Sequence, residues 1–215
     1  MKKVLVTGFD PFGGESVNPA LAAVRKLEGA QIAGVALMTS EIPTVFGKAI
    51  IKLRELVERE RPDLVICVGQ AGGRSDITVE RVAINIDDAR IPDNEGNRPI
   101  DQPVIEGGPV AYWSTLPIKA IVQNIREAGI PASVSQTAGT FVCNHIFYGL
   151  SHLIATAYPQ LRGGFIHIPF LPEQAVVKPG QPSMALAQIV EGLTIAVRTA
   201  ATTEEDLAIG GGQVC

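Results

Sequence analysis

Along the chain, short runs rich in β-branched and apolar residues alternate with longer stretches in which apolar positions return every three or four residues. The short runs, residues 3–8, 34–38, 63–69, 77–86, 132–136 and 164–168, read as strands, and the most continuously apolar of them as central members of a parallel sheet. Helices are predicted over residues 46–59, 116–128, 141–157 and 183–199. A further helix follows Asn18-Pro19, where a capping side chain stands directly before proline in the first helical position. Such alternation predicts one three-layer α/β/α domain over residues 1–215, with a mostly parallel, twisted central sheet. The alternating pattern of 77–86 suits an antiparallel extension. Residues 85–109 are rich in Pro, Gly, Asn and Asp and are too long for an idle connection, so they form a candidate functional loop. From about residue 201 no packing pattern is left, and the tail is expected to fray. No internal repeat and no low-complexity block interrupts this order.

Composition narrows the class. Of 215 residues, 46% are hydrophobic and 19% charged, and the mean hydropathy is +0.23, the balance of a chain that buries a sizeable core. A formal net charge of −4, with no run of Lys and Arg, provides no footprint for nucleic acid or an anionic membrane. The opening MKKVLVTGF reads as a strand, its apolar stretch being too short for a signal peptide. The C-terminal helical pattern is broken by Glu191 and Arg198, so no segment reads as a membrane span. Cys67, Cys143 and Cys215 are odd in number, widely spaced and without a CxxC pair, which fits a reducing compartment and a cytoplasmic protein.

Candidate chemistry centres on SQTAGTFVCNHIFYGLSH, residues 135–152. With Thr140 as cap, Cys143 falls in the first turn of a helix, where unpaired N–H groups favour an anion and lower a thiol's pKa. Such a thiol would alkylate below the ordinary value of about 8.5 once Cys215 is removed. Cys143 also shares a helical face with Phe147, Leu150 and Ile154, where a cysteine usually acts as a small core hydrophobe. Of the three histidines that could serve as its base, His145 and His152 point elsewhere on the helix and read as surface or packing residues. They lie about 10 Å apart along the axis, too far to share a metal ion, and no metal site is expected. His167, in GGFIHIPFLPEQ, ends a strand, the place where ligand sites of open α/β sheets gather. Glu80 lies on the apolar face of its strand with Val82, Ile84 and Ile86, a costly place for an unpaired carboxylate. A relay of Glu80, His167 and Cys143 would satisfy all three residues together. VTGFDPFGG lacks the spacing of a phosphate-binding loop, and no GxSxG elbow supports a serine hydrolase.

Four stretches in this order, VTGFDPFGGESVNPA, GQAGGRSDITVERVAINIDDARIPDN, SQTAGTFVCNHIFYGLSH and GFIHIPFLPEQ, make the chain resemble the pyroglutamyl peptidase I (pyrrolidone-carboxylate peptidase) family of cysteine exopeptidases. The resemblance implies Cys143 as nucleophile, His167 as base and Glu80 as its orienter, with Arg90 near the oxyanion. It also implies a lactam pocket flanked by Phe9 and Phe12, walled by Ile91, Phe141 and Val142, with polar contacts from Gln70 and Asn18. No cofactor is implied. The partners implied are peptides with N-terminal pyroglutamate and further copies of the chain, commonly in a tetramer. A thiol enzyme performing another acyl transfer, or a binding module for a small cyclic metabolite with a degenerate relay, remain alternatives, since fold alone does not give function.

Overall fold

The computed structural model describes residues 1–212, and Cys215 lies outside them. Strands β1 (Lys2–Phe9), β2 (Val35–Ile42), β3 (Leu64–Gln70) and β4 (Ile77–Glu80) alternate with helices α1 (Pro19–Leu27) and α2 (Lys48–Glu60). A short pair, β5 (Val82–Ile84) and β6 (Ala111–Trp113), follows. Beyond it come α3 (Ile118–Glu127), β7 (Ala132–Ser135), α4 (Val142–Thr156), β8 (Arg162–Ile168), α5 (Pro172–Ala175) and α6 (Leu186–Thr202). The main sheet has the order β2-β1-β3-β8-β4-β7, and its neighbours are parallel except for β8 and β4.

The period-2 alternation of β1, β3 and β8 feeds two cores. Val4, Val6, Ile66, Val68, Ile166 and Ile168 meet α1, α3 and α6 on one side, while Leu5, Val65, Cys67 and Phe165 meet α2 and α4 on the other. Both faces are covered, which is why these strands read as nearly continuous apolar runs. Asn18 caps α1 as expected: its Oδ1 accepts from Ala20 N at 3.0 Å, and Pro19 opens the helix.

Two features depart from the sequence reading. The run 77–86 divides at Arg81: β4 joins the main sheet antiparallel to β8, whereas β5 leaves it to pair with β6 in a separate two-stranded sheet. The tail, expected to fray, is tied down as far as Gly211. Asp206 accepts hydrogen bonds from Lys119 N and Ala120 N at 3.1 and 3.0 Å, capping α3, which has no capping side chain of its own. Gly211 O accepts from Arg81 Nη2 at 3.0 Å. These contacts are polar and long-range, so no hydrophobic period announces them. The 85–109 loop contains neither strand nor helix, only an isolated bridge between Asp87 and Gln102, and is secured by side-chain hydrogen bonds instead.

Candidate active site

At the carboxyl edge of the central strands, the pairing register brings together residues far apart in sequence. His167 stands opposite Gly69 of β3 on one side and opposite Thr78 of β4 on the other. Directly paired residues share a face, and Glu80 shares it with Thr78 through the period of two. Its carboxylate therefore lies on the same side of the sheet as the imidazole. His167 Nδ1 and Glu80 Oε1 are 2.7 Å apart, both fully buried. A carboxylate can only accept, so Nδ1 carries the proton and Nε2 is the basic nitrogen.

Arg74, from the turn between β3 and β4, completes this cluster and was not singled out by sequence reasoning. Its Nη1 donates to the same Glu80 Oε1 at 2.6 Å and to Thr78 Oγ1, and its Nη2 donates to Thr137 O at 2.9 Å. Burial works to raise the Glu80 pKa but is outweighed by the hydrogen bond and charge of His167, the nearby Ser135 hydroxyl and the Arg74 charge. The carboxyl therefore sits below its ordinary 4.5. Burial likewise lowers His167 below its ordinary 6.5, winning over the opposing pull of Glu80 with help from the positive charge of Arg74. At neutral pH the pair is a carboxylate and a neutral imidazole.

Cys143 reaches the same face from above. It occupies the second residue of α4, and a β-carbon added to Gly69 would stand 2.9 Å from its Sγ. The absent side chain of Gly69 is the space the thiol occupies, beside the residue that pairs with His167. Thr140 does not cap α4. Phe141 takes the cap position without any side-chain hydrogen bond, and Thr140 Oγ1 donates instead to Asp88 O at 2.7 Å. The first N–H groups of α4 are thus left for another acceptor. The expected depression of the thiol pKa is also reversed: burial first, then the Glu80 carboxylate, push Cys143 up to about 12 against the pull of Arg74. Cys143 is half-buried between helix and sheet, and the loss of water there outweighs the helix terminus.

The expected pocket residues divide into two groups. Phe12, Ile91 and Phe141 are half-buried around the start of α4, with the Phe12 and Phe141 rings 6.0 Å apart. Phe46 adds an edge-on ring 5.3 Å from Phe141, a member the sequence analysis did not name. Phe9 and Val142 are core residues, at 3% and 0% exposure. Phe9 packs on Phe165, whose ring lies 4.7 Å from His167, so it backs the relay rather than lining an opening. Asn18 spends both ends of its amide on the backbone, capping α1 and donating to Asp10 O at 3.0 Å. Gln70 Oε1 accepts from Gln174 Nε2 at 3.0 Å, and Gln174 also accepts from Leu171 N. Arg90 is exposed, in a cleft with Gly72, Phe170 and Lys178.

The residues following Cys143 serve as anchors. Asn144 is fully buried, its Oδ1 accepting from Ile84 N and its Nδ2 donating to Ile84 O and Ile86 O, all at 2.9–3.0 Å. His145 Nδ1 meets Asp87 Oδ2 at 2.7 Å, and its Nε2 accepts from Gly47 N at 2.8 Å. His152 stacks on Tyr148 and bonds the Tyr112 hydroxyl at 3.0 Å. Both histidines are thus structural, as their positions on the helix imply. A separate cleft of about 600 Å³, between α3 and the tail, is lined by none of these groups.

Comparison with known proteins covers nearly the whole chain. The model of the pyroglutamyl peptidase family matches residues 2–203. The pyrrolidone-carboxylate peptidases of Bacillus mycoides (strain KBAB4) and Bacillus thuringiensis (strain Al Hakam) are 59% and 60% identical over 212 residues, 99% of either chain in both cases. The crystal structure of Bacillus amyloliquefaciens pyroglutamyl peptidase I superposes with a TM-score of 0.94 at 56% identity, covering 96% of this chain and 100% of that one. The pyrrolidone carboxyl peptidase from Thermococcus litoralis gives 0.93 at 39% identity, covering 98% and 100%.

Proposed function

The chain belongs to the pyroglutamyl peptidase family, and from that premise we propose that Cys143, His167 and Glu80 are the nucleophile, base and orienter with which it works. It is a cysteine-type peptidase that removes pyroglutamate from peptide N-termini. The observation that carries the assignment of roles is the alignment of Glu80 Oε1 on His167 Nδ1 at 2.7 Å, next to the glycine over which the thiol sits.

The chemistry follows from these groups. With thiol and imidazole both neutral at rest, His167 Nε2 takes the Cys143 proton as sulfur attacks the pyroglutamyl carbonyl. Glu80 stabilises the imidazolium so formed. The carbonyl electrons move onto oxygen, and the free N–H groups at the start of α4, Cys143's own among them, suit that oxyanion because no side chain caps them. Arg90 contributes positive charge at the mouth. His167 then returns its proton to the departing amine, leaving a thioester. A water that gives its proton to the same nitrogen releases pyroglutamate.

Pyroglutamate has no ammonium group, so its pocket must read a neutral lactam. Phe12, Ile91 and Phe141 supply flat apolar walls, with Phe46 behind them and Gln70 offering an amide contact. Phe9 and Val142 support these walls from the core, and Asn18 shapes the Asp10–Phe12 turn rather than touching the substrate. A cytoplasmic homotetramer belongs to the same proposal. The exposed Val110 and Trp113 beside and within β6 support assembly, being side chains that a contact between copies would cover. Among the described residues no helix is long and apolar enough to cross a membrane.

The test is release of a fluorogenic amine from its pyroglutamyl derivative by wild type and Cys143→Ser, with an alanyl analogue alongside. Wild type should cleave only the pyroglutamyl compound, and the variant should be inert while folded. An active Cys143→Ser would overturn the nucleophile. An inert, folded wild type would return the chain to the reading of a binding module.

A further inference from the structure

Glu80 is a fully buried carboxylate, and His167 alone would be a poor counter-ion for it. A neutral imidazole leaves the charge uncompensated, while an imidazolium compensates it but cannot act as a base. Arg74 resolves this conflict geometrically. Its guanidinium bonds the same oxygen that receives Nδ1, and its other nitrogen is fixed to Thr137 O, so the fork spans the turn and the strand end at once. The side chain is about a quarter exposed, which lets the always-charged group keep contact with water while its tip enters the relay.

We propose that Arg74 is a positioning residue for the acyl-transfer relay, holding Glu80 ionised and aimed at Nδ1 so that His167 is kept as a free base at neutral pH. The inference rests on the roles assigned to His167 and Cys143 above. The charged or titratable groups about His167 are Glu80 from β4, Arg74 from the β3–β4 turn and Cys143 from α4, seated over the Gly69 that pairs with His167. Of these, Glu80 favours the protonated imidazole and Arg74 disfavours it. Arg74 also pulls the Cys143 pKa downward. Without Arg74, His167 should bind its proton more tightly, and the relay should switch on only at higher pH.

The direct measurement is the titration of the His167 imidazole by NMR without substrate, its resonances identified by their loss in His167→Gln. In Arg74→Gln the titration should move to higher pH, and the acid limb of kcat/KM should move with it, so that activity is lost most at the acid end. Arg74→Lys serves as the second variant should the first fail to fold. A single ammonium cannot span Glu80 and Thr137 together, so its titration should fall between wild type and Gln. If His167 titrates as in wild type in whichever variant folds, and activity falls equally at all pH values, Arg74 is structural only and the proposal fails. Because the titration needs no turnover, that outcome is distinct from a wild type that fails to hydrolyse pyroglutamyl substrates.

Discussion

Gly69 and Cys143 share a single space: the β-carbon that any other residue would place at 69 lies 2.9 Å from the thiol sulfur and 2.7 Å from the Phe165 ring. Neither neighbour is the loose end of a flexible chain. Phe165 is fully buried, and the thiol is held by the first turn of α4.

Gly69→Ala should therefore fold but work badly. Overpacking of this kind costs about 1–3 kcal/mol of stability. Displacing the sulfur by a fraction of a bond length should lower kcat/KM by about a hundredfold. Urea denaturation together with steady-state kinetics checks both. Wild-type kinetics in a folded Gly69→Ala would show that the thiol needs no exclusive claim on that space.

The pH dependence has a definite sign. His167 is held below 6.5 by burial, so the acid limb of kcat/KM, which reports the free enzyme, should fall below 6.5. The activity is present above that folded-state pKa and is lost as pH falls through it. A limb above 6.5 would mean that Glu80 holds the imidazole protonated.

Alkylation separates the thiol from its base. With Cys143 pushed up to about 12, iodoacetamide should modify it in wild type only with the help of His167, following deprotonation of the imidazole. In His167→Ala, modification should require strongly alkaline solution. Peptide mass spectrometry distinguishes Cys143 from Cys67, whose thiol burial also raises to about 12, and from Cys215. Rapid alkylation near neutral pH in His167→Ala would show a thiolate stabilised by the helix terminus alone.

Asn144→Ala tests the anchor behind the nucleophile. It removes three hydrogen bonds and takes this partner from the partly buried Ile84 N and Ile86 O, while Ile84 O keeps its bond from Ile86 N; each group left unpaired costs about 1–3 kcal/mol. Stability should fall, and amide exchange should quicken in residues 85–109 before the central strands. Equal acceleration everywhere would mean that the loop is not held through α4.

The layered architecture was legible because each central strand is buried on both faces and each helix on one, so burial writes its period directly into the residue order. Glu80 and His167 stood out for a related reason, being costly polar residues in apolar patterns, and Cys143 for its place in the first turn of a helix; neither signal needs coordinates. Other features depended on contacts between distant elements. Arg74 is an ordinary arginine in a glycine-rich turn until the chain folds back to place it on Glu80. Gly69 resembles any strand glycine until α4 settles on β3. The division of 77–86 between two sheets and the docking of the tail through Asp206 depend on which backbone groups lack partners in the folded chain. The thiol's pKa is the clearest case. A helix terminus, which sequence can locate, lowers it; the burial and the facing carboxylate that raise it exist only once helix, sheet and turn are packed together.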